Sequence, residues 1–583
     1  MFGRVLNSKD NNIIIENPSH NVILALQGVH VAFEEKERLI IGQIISLDKD
    51  KYEITLIGEI VGGKFYNGIY RQPSISNPPR LINAKELITF IGNQDYKEDN
   101  TLLIGTSTIY ENYKVTANLN DFFSNHFAIV GNSGYGKSCG VARILQNAFY
   151  FHEKPPKNAH IVLFDVYGEY NHAFSTINEI PGLKYRNYKN ETSNIDTVIK
   201  IPPYFLDADD LAILLDVESP HLVPVLEKAL YYVRVFKSSD ASSITYKNNI
   251  IASTLLDMLS VGKNASQMRD QILSILERYN TVDINENSKI VEPGYTRTLR
   301  QCLNVDAQGK LNAITLVAEF LNQYKKMDLD EFKGGASDIY SLKDLYDALD
   351  FALLSEGIYN SEGIYEKAST LKVRLGHIIN SPMRKFFEYN EIISKEEYIK
   401  NMFKAENNEQ IQIININLDT LEDRFAKILT KIYSKLFFNY ATTLTNRGSY
   451  PIHIILEEAH RYVNNDSDIH VIGYNIFDRI TKEGRKYGII LGLITQRPSE
   501  LSKTALSQCA NFLIFRIFHP EDFNMIASMT SSIPMEELIK LKTLRRGIAL
   551  GFGSAFATPF LVKLDMPSPP PLSNNVNITK TWY

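Results

Sequence analysis

Apolar and polar residues follow different patterns in different parts of the chain. Over residues 1–95, short runs rich in Val, Ile, Leu, Phe and Tyr are separated by turn-prone clusters such as SKDNN, NPSH and DKDK. This spacing predicts short strands in a small antiparallel barrel. The predicted strands are residues 12–15, 22–26, 29–33, 39–46 and 52–60.

The pattern changes to an alternation of strands and helices between residues 96 and 205. An apolar strand over residues 127–130 precedes a glycine-rich loop, a helix over residues 137–151 and a buried strand over residues 159–164. This order is the βαβ signature of a parallel sheet. Further strands are predicted at residues 411–416, 452–456, 489–494, 512–518 and 547–553.

A long stretch with helical periodicity separates these two α/β segments. Apolar residues recur there at three- and four-residue spacing. The predicted helices are residues 211–216, 222–236, 249–259, 268–279, 311–324, 342–354 and 364–379. We therefore predict an α/β fold with an N-terminal barrel (1–95), a core in two parts (96–205 and 404–566), a helical domain inserted into that core (206–403) and an extended proline-rich tail (567–583).

Composition and charge narrow the class of protein. The 583 residues are 44% hydrophobic, which excludes a largely disordered chain. There are 62 Lys and Arg residues against 67 Asp and Glu, a formal net charge of −5. A protein that coats nucleic acid with its whole surface is expected to be basic, so any nucleic-acid contact must be local.

Cysteine usage and hydropathy indicate a compartment. Cys139, Cys302 and Cys509 lie far apart and form no CxxC pair, which favours a reducing compartment over a disulfide scaffold or zinc ribbon. The N-terminus has no signal-peptide pattern, and the longest apolar runs are far shorter than the ~18 residues of a membrane span. We expect a cytoplasmic protein without a membrane segment.

The strongest chemical motif is GNSGYGKS, which matches the phosphate-binding loop G-x-x-x-x-G-K-[ST]. It consists of Gly131, Asn132, Ser133, Gly134, Tyr135, Gly136, Lys137 and Ser138, and Cys139 follows at the start of the predicted helix. Backbone N–H groups of such a loop surround phosphate oxygens, the lysine reaches the β- and γ-phosphates, and the serine hydroxyl binds Mg²⁺. The predicted cofactors are therefore ATP and Mg²⁺, bound by these nine residues.

Two adjacent carboxylates follow another predicted strand. The apolar run IHIIL ends in Glu457 and Glu458, which it presents at the carboxyl edge of the sheet. We assign Glu457 to the magnesium ion and Glu458 to the attacking water, which it orients or deprotonates. Asp165, in the motif FDVYGEY, also follows a strand and is a competing acid.

A third strand end carries a polar residue and is flanked by two arginines. Gln496 follows the apolar run 489–494 and is placed to sense the γ-phosphate. Arg485 precedes that run, where it can reach the nucleotide of a neighbouring subunit, and Arg497 is the second choice for this role. The simpler interpretation is that Arg485 and Lys486 form a solvated turn.

The motifs GNSGYGKS, FDVYGEY, LEEAH and ITKEGRKYGIILGLITQRPSEL together resemble the HerA branch of the HerA/FtsK ATPases. The resemblance implies a RecA-like P-loop ATPase core, an N-terminal barrel of the HAS-barrel type and a hexameric ring that translocates double-stranded DNA. It also implies roles at matching positions: Lys137 and Ser138 for nucleotide and magnesium, Glu458 for water, Gln496 as sensor and Arg485 as the finger acting in trans. Glu457 stands where many P-loop enzymes have Asp.

Partners follow from the resemblance alone. HerA-like ATPases work with NurA-type nucleases in DNA end processing, or with sirtuin-like NAD-hydrolysing effectors in anti-phage defence, and the barrel is the expected docking surface. Two functions stay open at this point: a DNA motor, and a ring-shaped scaffold that assembles and regulates an effector enzyme. A conjugation-type DNA pump is disfavoured by the expected lack of a membrane segment. Weak candidates for DNA contact in the channel are Lys263, Arg269, Arg374, Arg384 and Lys385.

Overall fold

The structure is a computed structural model. It describes residues 2–9, 11–20, 26–74, 76–150, 156–175, 183–189, 198–238, 240–260, 264–326, 332, 339–357, 362–464, 468–530, 533–572 and 578–582. The chain divides into two compact units. The first comprises Met1–Glu191, Glu396–Asp466 and Asn475–Tyr583, and the second comprises Thr192–Lys395 and Ser467–Tyr474.

The N-terminal part of the first unit is an antiparallel sheet of seven strands in the order β1-β2-β5-β4-β3-β7, with β6 paired to β5. Its burial pattern alternates along β5, as expected for strands with one face on a core. The closure of this sheet into a barrel stays a prediction. The strands are β1 (Val5–Lys9), β2 (Asn12–Glu16), β3 (His30–Glu34), β4 (Arg38–Leu47), β5 (Lys51–Val61), β6 (Lys64–Asn67) and β7 (Arg80–Leu81).

One helix in this region was not predicted. Helix α1 (Ala84–Ile91) lies within residues 1–95, for which the sequence analysis predicted strands only. Asn83 caps it, since its Oδ1 accepts the Glu86 N–H at 3.0 Å while Glu86 Oε2 accepts the Asn83 N–H at 2.9 Å. This capping box is a local helix signal that the strand-rich surroundings obscured. Of the predicted strand 22–26, residues 22–25 lie outside the described part of the chain.

The large sheet of the first unit has eleven strands in the order β12-β15-β11-β16-β17-β10-β18-β19-β20-β8-β9. The strands from β12 to β18 are parallel to one another, and the remaining strands pair antiparallel. The central strands are almost continuously apolar, because both faces of a parallel sheet are buried. The strands are β8 (Thr101–Ser107), β9 (Lys114–Asn118), β10 (Phe127–Val130), β11 (Ile161–Asp165), β12 (Tyr185–Tyr188), β15 (Ile413–Asn417), β16 (Ile452–Leu456), β17 (Ile489–Thr495), β18 (Asn511–Ile514), β19 (Ile548–Gly553) and β20 (Phe560–Lys563).

Helices connect these strands. Besides α1 they are α2 (Leu119–Phe123), α3 (Lys137–Tyr150), α4 (Asn171–Ser175), α13 (Lys395–Met402), α14 (Asp423–Thr443), α16 (Ile476–Glu483), α17 (Lys503–Ser507), α18 (Pro520–Met529), α19 (Met535–Ile539) and α20 (Ile578–Trp582). The strand predicted over 512–518 ends early, at Ile514. Phe515 follows in irregular backbone and packs against the glycine-rich loop, where a Cβ on Gly131 would lie 2.5 Å from its own Cβ.

The second unit is mainly helical. Its helices are α5 (Ala208–Leu214), α6 (Val223–Lys237), α7 (Ser243–Ser260), α8 (Ala265–Arg278), α9 (Leu299–Cys302), α10 (Ile314–Asn322), α11 (Leu342–Gly357), α12 (Glu362–Asn380) and α15 (Asp468–Ile472). A two-stranded hairpin of β13 (Lys289–Glu292) and β14 (Tyr295–Thr298) was not predicted from the sequence. No described helix of either unit combines the length and the apolar character that crossing a membrane requires.

A close contact between two central strands gives a stability prediction. Gly492 of β17 is the register partner of Phe127 of β10, and a Cβ on Gly492 would lie 2.5 Å from the Phe127 Cζ. Gly492→Val should therefore overpack the core, cost about 1–3 kcal/mol and lower the melting temperature in thermal unfolding followed by circular dichroism. Adding Phe127→Leu should recover part of that loss, because the shorter side chain makes room. Strictly additive losses in the double variant would contradict this packing.

Candidate active site

The glycine-rich loop connects β10 to α3 at the carboxyl edge of the parallel strands. Gly131, Gly134 and Gly136 have φ values of +152°, +78° and +106°, which side-chain-bearing residues rarely adopt. The loop is fixed from outside: the Asn132 N–H donates to the Arg516 carbonyl at 2.9 Å, and Asn132 Oδ1 accepts the Phe518 N–H at 3.0 Å. The loop is thus held in a shape that leaves its backbone N–H groups available to an anion.

Lys137 lies in the buried interior of this edge. Burial lowers the pKa of its ammonium group, and the carboxylates of Glu458, Glu457 and Glu169 oppose that shift. The acidic groups keep the buried lysine charged. A bound phosphate would stabilise the ammonium ion further, because its oxygens are negatively charged. Lys137, Glu457 and Glu458, which were predicted from separate parts of the sequence, therefore lie together.

Asp165 and Glu457 form a buried carboxyl pair across two strands. Phe164 of β11 pairs with Leu456 of β16, so that the next residues, Asp165 and Glu457, lie side by side. Burial raises the pKa of Glu457 well above its ordinary value, and the neighbouring Asp165 raises it further. The pair therefore retains one proton.

The hydrogen bonds locate this proton. The Asp165 carboxylate accepts the N–H groups of Glu169 at 3.2 Å and Tyr170 at 3.0 Å, together with the side-chain N–H of Asn415 at 3.2 Å. Three donors stabilise Asp165 as the anion, so the proton lies on Glu457, which donates to Asp165. The other oxygen of Glu457, Oε2, accepts the Val166 N–H at 3.1 Å.

Glu458 differs from its neighbour in conformation and in hydrogen bonding. Its backbone is left-handed, with φ +47° and ψ +48°, a strained conformation for a non-glycine residue that is frequent at active sites. Burial raises the pKa of its carboxyl group, and Lys137 and the Gln496 backbone N–H counteract that shift. Its Oε2 is buried without a hydrogen-bond partner among the described residues, as expected of an oxygen that awaits water or ligand.

The end of β17 completes this edge. Val130 and Thr495 are register partners, so Gln496 emerges beside the first residue of the glycine-rich loop. The His460 Nδ1 lies 3.1 Å from the Thr495 Oγ1 and 3.4 Å from the Glu458 Oε2. His460 was not singled out in the sequence analysis, although it belongs to the motif LEEAH, and it connects the end of β17 to Glu458.

Glu169 is another residue of the site that the sequence analysis did not assign. It is half-buried, and burial raises the pKa of its carboxyl group, while the nearby Ser138 hydroxyl and Lys137 ammonium group act against that rise. Its place in the motif FDVYGEY was the available signal, but in that motif only Asp165 directly follows a predicted strand. Cys139, the next residue along α3, is partly buried, which raises the pKa of its thiol.

The outer face of the loop carries aromatic and cationic groups. The Arg516 Nη1 donates to the Tyr135 hydroxyl at 3.0 Å, and the Arg516 guanidinium lies 4.2 Å from the centre of the Phe518 ring. Arg546 approaches Gly134, where its Nη2 lies 3.9 Å from the position of a Cβ. Neither arginine was predicted, because both come from segments more than 380 residues further along the chain.

Arg485 is not part of this edge within one chain. It is exposed and lies just before β17, at the amino end of the strand whose carboxyl end reaches the glycine-rich loop. Arg497 lies at the carboxyl end, where its Nη1 pairs with the Glu500 Oε1 at 2.6 Å and is exposed. The structure therefore gathers Lys137, Ser138, Glu457, Glu458 and Gln496 at one edge, and Arg485 lies at the opposite end of β17.

The side chains around Ser138 include oxygen atoms that could bind a metal ion. In the described part of the chain, no group of three or more His, Cys, Asp or Glu side chains is arranged to hold a metal ion by itself. The oxygen atoms of Ser138 and its carboxylate neighbours are nonetheless of the hard type that Mg²⁺ prefers, and Mg²⁺ commonly takes only one or two protein ligands beside nucleotide phosphates.

The carboxyl pair predicts a pH-dependent stability difference. Because the folded-state pKa of Glu457 is raised, stability is lost as the pH rises from the ordinary carboxyl pKa through that raised value. Glu457→Gln keeps a donor to Asp165 and an acceptor for Val166, and it cannot ionise. In thermal unfolding without nucleotide and with EDTA, the variant should gain melting temperature over the wild type, and the gain should be larger at pH 8 than at pH 5.

Asp165→Asn is the control for this prediction. It removes acceptor capacity from three N–H donors, so it should destabilise by about 1–3 kcal/mol at both pH values. An equal effect of Glu457→Gln at pH 5 and pH 8 would show that no proton is shared.

Comparisons with known proteins agree with this site. The family described as "Helicase HerA, central domain" matches residues 102–299. The DNA double-strand break repair helicase HerA of Pyrococcus furiosus is 24% identical over 88% of this chain and 76% of its own length. The probable DNA double-strand break repair helicase HerA of Methanocaldococcus jannaschii is 23% identical over 92% of this chain and 90% of its own length.

Two solved structures also align with most of this chain. VirB4 of Thermoanaerobacter pseudethanolicus aligns over 80% of this chain and 97% of its own, with 13% identity and a TM-score of 0.42. The plasmid coupling protein TrwB in complex with ADP and Mg²⁺ aligns over 84% of this chain and 93% of its own, with 10% identity and a TM-score of 0.42. The chain is thus similar over most of its length to HerA helicases, and its glycine-rich loop is that of a P-loop ATPase.

Proposed function

We propose that this ATPase is a double-stranded DNA translocase or helicase that works as a homo-hexameric ring. The proposal depends on one observation: Lys137 of the glycine-rich loop lies near acidic side chains that follow the neighbouring strands β11 and β16. That arrangement binds a nucleotide and activates water beside it. The relatives, which are named as DNA repair helicases, supply the class of work to which hydrolysis is coupled.

The proposed roles follow from the positions of the groups. The backbone of residues 131–139 and Lys137 bind the phosphates of ATP. Glu458 orients and deprotonates the attacking water, for which its unpartnered Oε2 is available. Gln496 senses the γ-phosphate from the end of β17. These steps require ordered positions rather than covalent chemistry, as is usual for phosphoryl transfer.

Magnesium has a place in this proposal. Ser138 and Glu457 are the proposed ligands. When bound, Mg²⁺ neutralises charge on the β- and γ-phosphates. Since Glu457 carries the proton of the carboxyl pair, its ionisation must accompany any direct contact with the metal.

In the proposed hexamer, Arg485 has a role in the active site of the neighbouring subunit. An exposed arginine at the amino end of β17 cannot act on its own subunit's loop at the carboxyl end, but a ring places it against a neighbour. The proposed architecture is a RecA-like core with an N-terminal barrel and an inserted helical domain. The barrel is the proposed docking surface for a NurA-like nuclease or a sirtuin-like NAD-hydrolysing effector, in DNA end processing or anti-phage defence.

Translocation along double-stranded DNA can be tested by measuring displacement of a triplex-forming strand from linear duplex DNA. The wild type should displace it in the presence of ATP and Mg²⁺, whereas Lys137→Ala should lose both nucleotide turnover and displacement. Normal turnover by Lys137→Ala would overturn the phosphate-loop assignment. ATP turnover without displacement, combined with activation of a co-purified effector, would favour the scaffold over the motor.

Mixed rings test the arginine in trans. Arg485→Ala should keep ATP binding and lose about 10³-fold or more in hydrolysis, the usual effect of removing an arginine finger. Glu458→Gln alone should also be inactive. Mixing the two variants should restore part of the activity, because some sites then combine an intact glutamate with a neighbour's intact arginine. If mixing restores nothing while rings still form, Arg485 does not act across the subunit boundary.

A further inference from the structure

The Glu458 Oε2 lies close to a histidine and yet accepts no hydrogen bond from it. The His460 Nδ1 is 3.4 Å away, and both side chains are largely buried. At such a distance a carboxylate is a stronger acceptor for an imidazole N–H than a neutral oxygen is. The Glu458 Oε2 nevertheless has no hydrogen-bond partner among the described residues. Another group therefore occupies the His460 Nδ1.

The backbone places His460 between two oxygen atoms. Glu458 has a left-handed backbone, with a φ of +47°, and one turn of 3₁₀ helix, Ala459–Arg461, follows it and packs against β17. The His460 Nδ1 forms a hydrogen bond with the Thr495 Oγ1 at 3.1 Å and lies 3.4 Å from the Glu458 Oε2. Burial lowers the pKa of His460, so the ring is neutral at neutral pH. The Nδ1 of a neutral ring has either one proton or one lone pair, and it can therefore bond only one of the two oxygens.

The second contact of the Thr495 hydroxyl shows which group donates. Thr495 is fully buried at the carboxyl end of β17, and its Oγ1 accepts the Arg497 N–H at 3.0 Å. A main-chain N–H can only donate, so this bond uses a lone pair of Oγ1 and leaves the hydroxyl proton for another acceptor. Among the described residues, the acceptor that this hydroxyl contacts is the His460 Nδ1. The hydroxyl therefore donates to Nδ1, and the ring has its own proton on Nε2.

We propose that Thr495 is a positioning residue whose hydroxyl fixes the tautomer of His460 and thereby keeps the Glu458 Oε2 free to accept a proton from the attacking water. The hydrogen bond at one ring nitrogen determines which nitrogen is protonated, and an Nδ1 with a lone pair cannot donate to a carboxylate. Thr495 is also bonded to the phosphate loop, because its carbonyl accepts the Gly131 N–H at 3.2 Å. This inference rests on the proposed function, since it assumes that Glu458 acts on water.

Thr495→Val and Thr495→Ser are a matched pair of variants for the test. Valine has nearly the shape of threonine without the hydroxyl, whereas serine keeps the hydroxyl without the methyl group. In Thr495→Val the ring can carry its proton on Nδ1 and donate it to the Glu458 Oε2, which then no longer accepts from water. ATP turnover is measured on the full-length chain with Mg²⁺ over a range of ATP concentrations, which separates kcat from KM.

Thr495→Val should lower kcat about tenfold or more, because it weakens general-base catalysis. Its KM for ATP and the kcat of Thr495→Ser should both stay within about twofold of the wild type. His460→Leu then distinguishes a misplaced proton from general damage, since leucine cannot donate to Glu458. The double variant Thr495→Val/His460→Leu should have the kcat of His460→Leu alone and exceed Thr495→Val about fivefold or more, whereas two independent losses would add.

Three results would overturn the proposal: wild-type kcat in Thr495→Val, equal losses in Thr495→Val and Thr495→Ser, or a double variant no faster than Thr495→Val. Melting temperatures show whether each variant is folded, and Thr495→Ala with and without His460→Leu gives the same comparison if Thr495→Val does not fold. A different result addresses the proposed function instead: if Glu458→Gln hydrolyses ATP at the wild-type rate, Glu458 does not act on water.

Discussion

One proton retained between Asp165 and Glu457 is the interaction on which the active-site edge depends. Three carboxyl groups, those of Glu169, Glu457 and Glu458, lie near a single buried lysine, and a fourth, that of Asp165, pairs with Glu457. Ionising all of them in a buried site would cost far more than one ammonium group returns. The proton on Glu457 and the N–H donors to Asp165 reduce the negative charge that Lys137 must balance. Glu458 is then the carboxylate that has an oxygen without a hydrogen-bond partner among the described residues.

This arrangement follows from the strand order of the sheet. Because β11, β16, β17 and β10 are adjacent and parallel, the residues that follow them meet at one edge. Segments distant in sequence then fix the edge in place: Arg516 holds the outer face of the phosphate loop, His460 connects Thr495 with Glu458, and Leu572 holds Glu169. The side chains of the site therefore have little conformational freedom.

The parts that the sequence predicted are those with strong local signals. The strands Phe127–Val130 and Ile452–Leu456 were predicted with the bounds that the structure shows, because short apolar runs end there at a loop or at acidic residues. Helix α1 and the hairpin of β13 and β14 were missed. A capping box is a weak sequence signal in a strand-rich region, and two four-residue strands are a weak signal in a helical one. Arg516, Arg546 and the contact of residues 568 and 569 with Gln146 could not be found in this way, because their partners are more than 380 residues away. Contact of the candidate channel residues with DNA stays a prediction. Within the chain, Arg374 donates to the main-chain carbonyls of residues 215 and 216, Arg269 pairs with Asp270 and Arg384 pairs with Glu388, while Lys263 lies outside the described residues.

The central claim is that Glu458 acts on water beside an ATP molecule held by Lys137 and drives work on DNA. Phosphate release in the presence of linear double-stranded DNA tests it most directly, when the wild type is compared with Glu458→Gln at saturating ATP. The wild type should hydrolyse ATP faster with DNA than without it, and Glu458→Gln should bind ATP with unchanged affinity and lose at least about 10²-fold in turnover. Turnover by Glu458→Gln at the wild-type rate would contradict the account.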